Sequence, residues 1–135
     1  MEYTNSNRGI FQFQRRARQL IDFEGMRYKN ITPTDIDAYT EYQDRAFLFF
    51  EFKYGDAKMS YGQETALTRN CDAIQETGRD AVVFECHHNV QDCWEDVLAY
   101  EVPVTRYYYK KKWRDLHGMT AGQCYERFLK WVDRK

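Results

Sequence analysis

Proline is scarce in this chain, with two residues in 135, and no stretch of low complexity interrupts the sequence. A linker between domains normally shows as a run of proline, glycine or polar residues. One domain over residues 1–135 is therefore the expected organisation, of a size that buries a real core. No uninterrupted apolar run approaches the length of a membrane span, and Met1–Phe11 is too polar for a secretory signal. No membrane association is expected, and a cytoplasmic location is. Cysteine is also sparse. Cys71, Cys86, Cys93 and Cys124 are irregularly spaced and read as reduced thiols rather than a disulfide framework. Charge of one sign is lacking as well: the net charge of −1 gives no overall attraction to a polyanion, so any nucleic acid must be held by local patches.

What the chain has in excess is aromatic residues, 17% of the total. The densest apolar run, Ala46 to Tyr54, is Ala-Phe-Leu-Phe-Phe-Glu-Phe-Lys-Tyr. It is short for a helix and suits a central strand buried on both faces. Before it, Ile36–Tyr42 leads into the polar turn Gln43-Asp44-Arg45, which makes a hairpin. Ser60-Tyr61-Gly62-Gln63 has the form of a capping box and opens a helix with Leu67, Cys71 and Ile74 as its apolar stripe, ended by Gly78. Ala81–Phe84 is a second buried strand, parallel to the first through the helical crossover. Leu98–Tyr109 reads as one strand or two. Thr120-Ala121-Gly122-Gln123 repeats the capping-box pattern ahead of a last helix that carries Cys124, Phe128, Trp131 and Val132 inward. Near the start, Ile10, Phe13, Ala17, Leu20 and Ile21 fall at helical spacing, predicting a helix over Ile10–Glu24 stopped by Gly25. This order describes an α/β/α sandwich around a mixed β-sheet.

The hairpin also brings chemistry together. With Asp44 at the centre of the turn, Asp37 faces Glu51, and alternation along a strand puts Glu51 and Lys53 on one face. A slip of one residue would turn Asp37 away. Charges in the company of five phenylalanine and leucine side chains are costly unless paired or bound to a metal. Two carboxylates suit a hard cation such as Mg²⁺, and a lysine beside them suits stabilisation of a developing anionic charge. The plainer reading of the same residues is a ladder ion pair with Asp37 in a turn.

Thr34-Asp35-Ile36-Asp37, Phe49-Phe50-Glu51-Phe52-Lys53 and Ser60-Tyr61-Gly62-Gln63 together resemble the PD-(D/E)XK nuclease superfamily. The likeness is to its virus-type replication–repair branch and to archaeal Holliday-junction resolvases, and Gly78–Phe84 resembles the family's return from helix to strand. It covers about the central half of the chain. The resemblance implies a restriction-endonuclease-like fold and an Mg²⁺- or Mn²⁺-dependent hydrolysis of DNA phosphodiesters, with branched or single-stranded DNA as the structure-specific substrate. Asp37 and Glu51 would hold the metal, Lys53 would assist the attacking water and Gln63 would position water or phosphate. Small members of this kind are phage or mobile-element proteins, so replication, recombination or repair in the host cytoplasm is the implied context. A homodimer fits a resolvase, which needs two active centres. Many members also carry a first-helix Glu as a ligand; here the corresponding segment offers Gln12, Gln14 and Gln19, with acids only at Asp22 and Glu24. That departure favours the alternative reading, a catalytically inactive module binding nucleic acid or a protein partner, such as a phage inhibitor of host defence. Asp35 is an alternative ligand, and the capping box alone also accounts for Gln63.

Three further features carry weaker signals. Cys86, His87, His88 and Cys93 are zinc-type ligands at no standard spacing, and adjacent strand residues point to opposite faces, so a loop at the sheet edge is the default reading. Lys110, Lys111 and Lys112, following three tyrosines, are candidate phosphate contacts, or the guard of an edge strand ahead of a core Trp113. Arg15, Arg16 and Arg18 are candidate DNA contacts, or a solvated face.

Overall fold

The computed structural model describes residues 4–6, 9–11 and 19–135, with side chains from residue 19 onward. The chain divides into two compact units, Met1–Pro33 and Thr34–Lys135. The first contains a small antiparallel hairpin, β1 (Thr4–Ser6) with β2 (Gly9–Phe11), in which Thr4 pairs Phe11. The helix expected over Ile10–Glu24 is corrected at both of its ends. Ile10 and Phe11 belong to β2, and residues 19–23 have no regular structure before a turn at Glu24-Gly25. Leu20 and Ile21, assigned to its apolar stripe, are exposed. Arg15, Arg16 and Arg18 lie outside the described residues.

The second unit is a mixed α/β structure built on a five-stranded sheet, β3 (Ala38–Tyr42), β4 (Ala46–Tyr54), β5 (Asp80–His88), β6 (Val104–Tyr109) and β7 (Lys112–Asp115), in that spatial order. The β4–β5 pair is parallel and every other pair antiparallel. Helix α1 (Tyr61–Glu76) makes the crossover between the parallel strands, and α2 (Ala121–Asp133) closes the chain. Both capping boxes form: Ser60 accepts from Gln63 N and Thr120 from Gln123 N, with each glutamine side chain returning to its cap. Thr77 caps the end of α1, and Gly78 follows with a φ of +90°, a conformation that a Cβ disfavours.

Alternation sorts the core into two layers. Leu48, Phe50, Val82, Phe84 and Cys86 pack with Ala121, Cys124 and Val132 of α2. Phe49, Ala81, Val83 and Tyr108 pack with Leu67 and Cys71 of α1. A helix thus covers each face of β4 and β5, which is why both strands are buried almost throughout. The sequence Leu98–Tyr109 contributes one strand only. Its first part is a 3₁₀ turn, Ala99–Glu101, and the strand begins at Val104 after Pro103, which supplies no amide hydrogen to a ladder. Lys110 and Lys111 are the turn of the last hairpin, both with positive φ, and Lys112 opens the edge strand β7. Trp131 is half exposed on α2 rather than turned fully inward.

Candidate active site

Glu51 and Glu85 are the two charged residues buried among the described residues, and they are direct partners across the parallel pair β4–β5. Their place follows from the hairpin. Gln43 and Asp44 both take left-handed backbone angles, φ 50° and 57°, and Arg45 N donates to Tyr42 O. The register that results pairs Ala38 with Phe50 and Tyr39 with Phe49, as the turn at Asp44 requires. Asp37 stands one residue beyond the ladder, and its Oδ2 accepts a 2.8 Å hydrogen bond from Phe52 N.

Glu51, Lys53, Glu85 and His87 share the face that α1 covers, at the C-terminal ends of the parallel strands. The first turn of α1 reaches the same place. Lys53 Nζ lies 3.3 Å from Glu51 Oε1 and donates to Gln63 Oε1 at 3.0 Å. Gln63 Nε2 lies 3.4 Å from Glu51 Oε1. Gln63 therefore serves in the capping box and touches both charged residues at once. Glu51 Oε2 is buried and meets no hydrogen-bond donor. Burial pushes the Glu51 carboxyl above its ordinary value, and Asp37 pushes it further through its charge and through a side-chain hydrogen bond that needs a proton on the pair, against the opposing pull of Lys53.

Beside this group lies a second, saturated one that the sequence reading did not assemble. Glu85 Oε1 accepts from Arg106 Nε at 3.1 Å and Nη2 at 2.9 Å, and Arg106 Nη2 also reaches Glu64 Oε1 at 2.6 Å. The guanidinium rests 3.8 Å above the Trp113 ring. His87 places Nε2 2.8 Å from Glu85 Oε2 and Nδ1 2.7 Å from Gly55 O. Burial alone would raise the Glu85 carboxyl, but the hydrogen bonds from His87 and Arg106 outweigh it and hold it below its ordinary value. The two buried glutamates are thus driven in opposite directions. The signal that could have found this group is a lone acid ending the apolar run of β5, one strand from Glu51 and in register with it.

Two carboxylates, one with an orphaned oxygen, fit a hard divalent cation that completes its shell with water or phosphate oxygens. No set of three or more His, Cys, Asp or Glu able to hold a metal occurs among the described residues. Cys86 is buried toward α2, His87 faces α1 and Cys93 is exposed, so these zinc-type residues are dispersed. Lys110, Lys111 and Lys112 sit at the opposite end of the sheet. Tyr108 pairs Val83 while Lys53 pairs His87, which puts the lysines about 20 Å from Lys53 at 3.3 Å per residue. No helix among the described residues is long and apolar enough to cross a membrane. No family model, no curated protein and no solved structure matches the chain significantly.

Proposed function

We propose that the unit Thr34–Lys135 is a restriction-endonuclease-like fold of the PD-(D/E)XK kind and that the protein hydrolyses DNA phosphodiesters with the help of Mg²⁺ or Mn²⁺. The observation that carries this reading is Glu51 Oε2. A buried carboxylate oxygen without a donor, crowded by a second carboxylate, is stabilised by a proton or by a cation. Lys53 on the same face supplies one positive charge, to Oε1 only. In this reading Asp37 and Glu51 would hold the metal, which would supply Lewis-acid polarisation of a phosphate and of water there. Lys53 orients that water and offsets negative charge developing on the phosphoryl oxygens. Gln63 keeps the Lys53 ammonium directed at the site and offers an amide to water or phosphate. Branched or single-stranded DNA is the substrate class, and a homodimer would supply paired incisions.

The test is cleavage of plasmid, single-stranded and branched DNA with each metal. Wild type should cut; Glu51→Ala and Lys53→Ala should not. Cleavage unchanged by Lys53→Ala would reject the site. A second reading is a non-enzymatic module that binds nucleic acid or a protein, favoured by the lack of a third acidic or histidine ligand among the described residues. DNA binding without cleavage, indifferent to Mg²⁺, would select it.

A further inference from the structure

We propose that the cavity between α2 and strands β5 and β6 is a binding site for a planar aromatic anion, a ring system carrying a phosphate, sulfonate or carboxylate. It lies on the face of the sheet away from Glu51 and Lys53, because Phe84 packs toward α2 while its neighbour Glu85 points to the other side. The inference is independent of the nuclease reading.

The cavity has a volume of about 440 Å³, within the range that holds a small molecule. Phe84 of β5 and Tyr107 and Tyr109 of β6 line the sheet side, and Phe128 and Trp131 line the helix side. These five rings meet at interplanar angles of 43° to 87°, with centroids 5.5 to 6.3 Å apart. Contacts of that kind leave ring faces unstacked, and those are the surfaces a flat guest uses. Trp131, whose helical position predicts an inward side chain, borders this space instead of a packed wall and is 39% exposed.

The charge around the cavity is of one sign. Arg127 and Arg134 border it and are exposed, and no Asp or Glu among the described residues lines it. Seven residues apart, they lie on one side of α2, about 10 Å from each other along the axis, with Phe128 and Trp131 between them. Neither guanidinium has a carboxylate partner among the described residues. The acids beside them in sequence, Glu126 and Asp133, engage Tyr100 and Arg45 instead. Arg127 Nη1 lies 3.5 Å from Met119 Sδ, a weak acceptor. Its charge is felt on the inner wall, where burial raises the Cys124 thiol and Arg127 opposes the rise. A cavity of equal volume beside Asp72 and Gly78 differs in this respect, since Arg79, Lys111 and Lys135 there are paired with Asp44, Glu76 and Asp80. Apolar rings select a flat body, and a guanidinium fork selects an anion with two or more oxygens. A neutral aromatic meets only the first demand and an aliphatic anion only the second.

The experiment is calorimetric titration of the full chain, in EDTA at low salt, with naphthalene-2-sulfonate, the neutral naphthalene-2-sulfonamide and hexanesulfonate. The aromatic sulfonate should bind about tenfold more tightly than the sulfonamide, from two exposed charge pairs worth a few-fold each, and hexanesulfonate should not bind measurably. Arg127→Gln with Arg134→Gln should erase the preference and leave the sulfonamide affinity unchanged. Trp131→Leu should weaken both aromatic probes alike. All three positions are exposed, and circular dichroism checks that the variants fold. The same preference for dAMP over deoxyadenosine would assign the guest as a nucleotide; a preference confined to the sulfonate would assign it as an aromatic acid without a sugar. No binding of the sulfonate at millimolar concentration overturns the inference. So does equal affinity for the two naphthalene probes, a preference that survives in the double Gln variant, or binding indifferent to Trp131→Leu.

Discussion

Exchanging Glu51 for glutamine keeps the shape of the side chain and removes its charge, and the metal-free protein should become more stable for it. Glu51 is 2% exposed, one oxygen has no donor, and the Asp37 charge disfavours its ionised form. Leaving a buried polar atom unsatisfied costs about 1–3 kcal/mol. Glutamine relieves this by placing an amide donor beside Asp37, and gives up the ion pair with Lys53, itself bonded to Gln63. The net expectation for Glu51→Gln in EDTA at neutral pH is a gain of about 1 kcal/mol, or roughly 2–4 °C in Tm for a chain of this size. The sign with pH follows from linkage. A carboxyl whose folded pKa is raised binds more protons folded than unfolded. Wild-type stability therefore falls as pH rises from the ordinary carboxylate value through the raised one, and above that the loss is complete. The Gln variant should lack this fall. Mg²⁺ should reverse the ranking. A ligand at ten times its Kd stabilises the form that binds it by about 1.4 kcal/mol, available to wild type and denied to the variant. Thermal unfolding in EDTA and in Mg²⁺ at several pH values reads all three effects. A variant that is less stable in EDTA, together with equal Mg²⁺ shifts for both proteins, would refute the account of Glu51.

Lys53→Met should lower the cleavage rate by about 10²–10³-fold, as expected for loss of one preorganised charge, while DNA affinity in Ca²⁺ stays within a few-fold; equal loss of binding and rate would make Lys53 a contact only. Replacing Lys110-Lys111 with Asn-Gly should stabilise the protein by about 1 kcal/mol, because both lysines hold a left-handed backbone that costs non-glycine residues energy; chemical denaturation measures it, and a neutral or negative result would contradict the turn geometry. Native alkylation should modify Cys93 alone, since Cys71, Cys86 and Cys124 are buried and burial pushes the Cys71 thiol up to about 12 and the Cys124 thiol to about 11; mass spectrometry of labelled peptides would show any other site. Leu67→Ala, emptying a fully buried position between α1 and the sheet, should cost about 2–5 kcal/mol.

Local signals carried most of what was legible. The turn at Asp44 set the register that brings Asp37 to Glu51, and the two capping boxes located the starts of α1 and α2. Each depends on residues a few positions apart. The Glu85–Arg106–Glu64 group depends on β5, β6 and α1 meeting in register, with partners 21 and 42 residues apart, and no short pattern encodes that. The ends of the helix expected over Ile10–Glu24 failed for the converse reason: apolar spacing at Ile10 and at Leu20 and Ile21 specifies a face, not where a helix starts or stops.

The parallel pairing of β4 with β5 has a consequence for synthesis. The hairpin partner β3 emerges before β4, but its other neighbour does not exist until the ribosome has delivered Asp80–His88, after the whole of α1. In the interval Phe47 to Phe52 presents an open edge with no proline and one charge, the composition of a segment that pairs with its own copies. Glu51 interrupts that run and Lys53 ends it, so the same two charges restrain self-association of the nascent chain before the fold brings them together. Neutralising both together should lower the soluble yield more than either change alone.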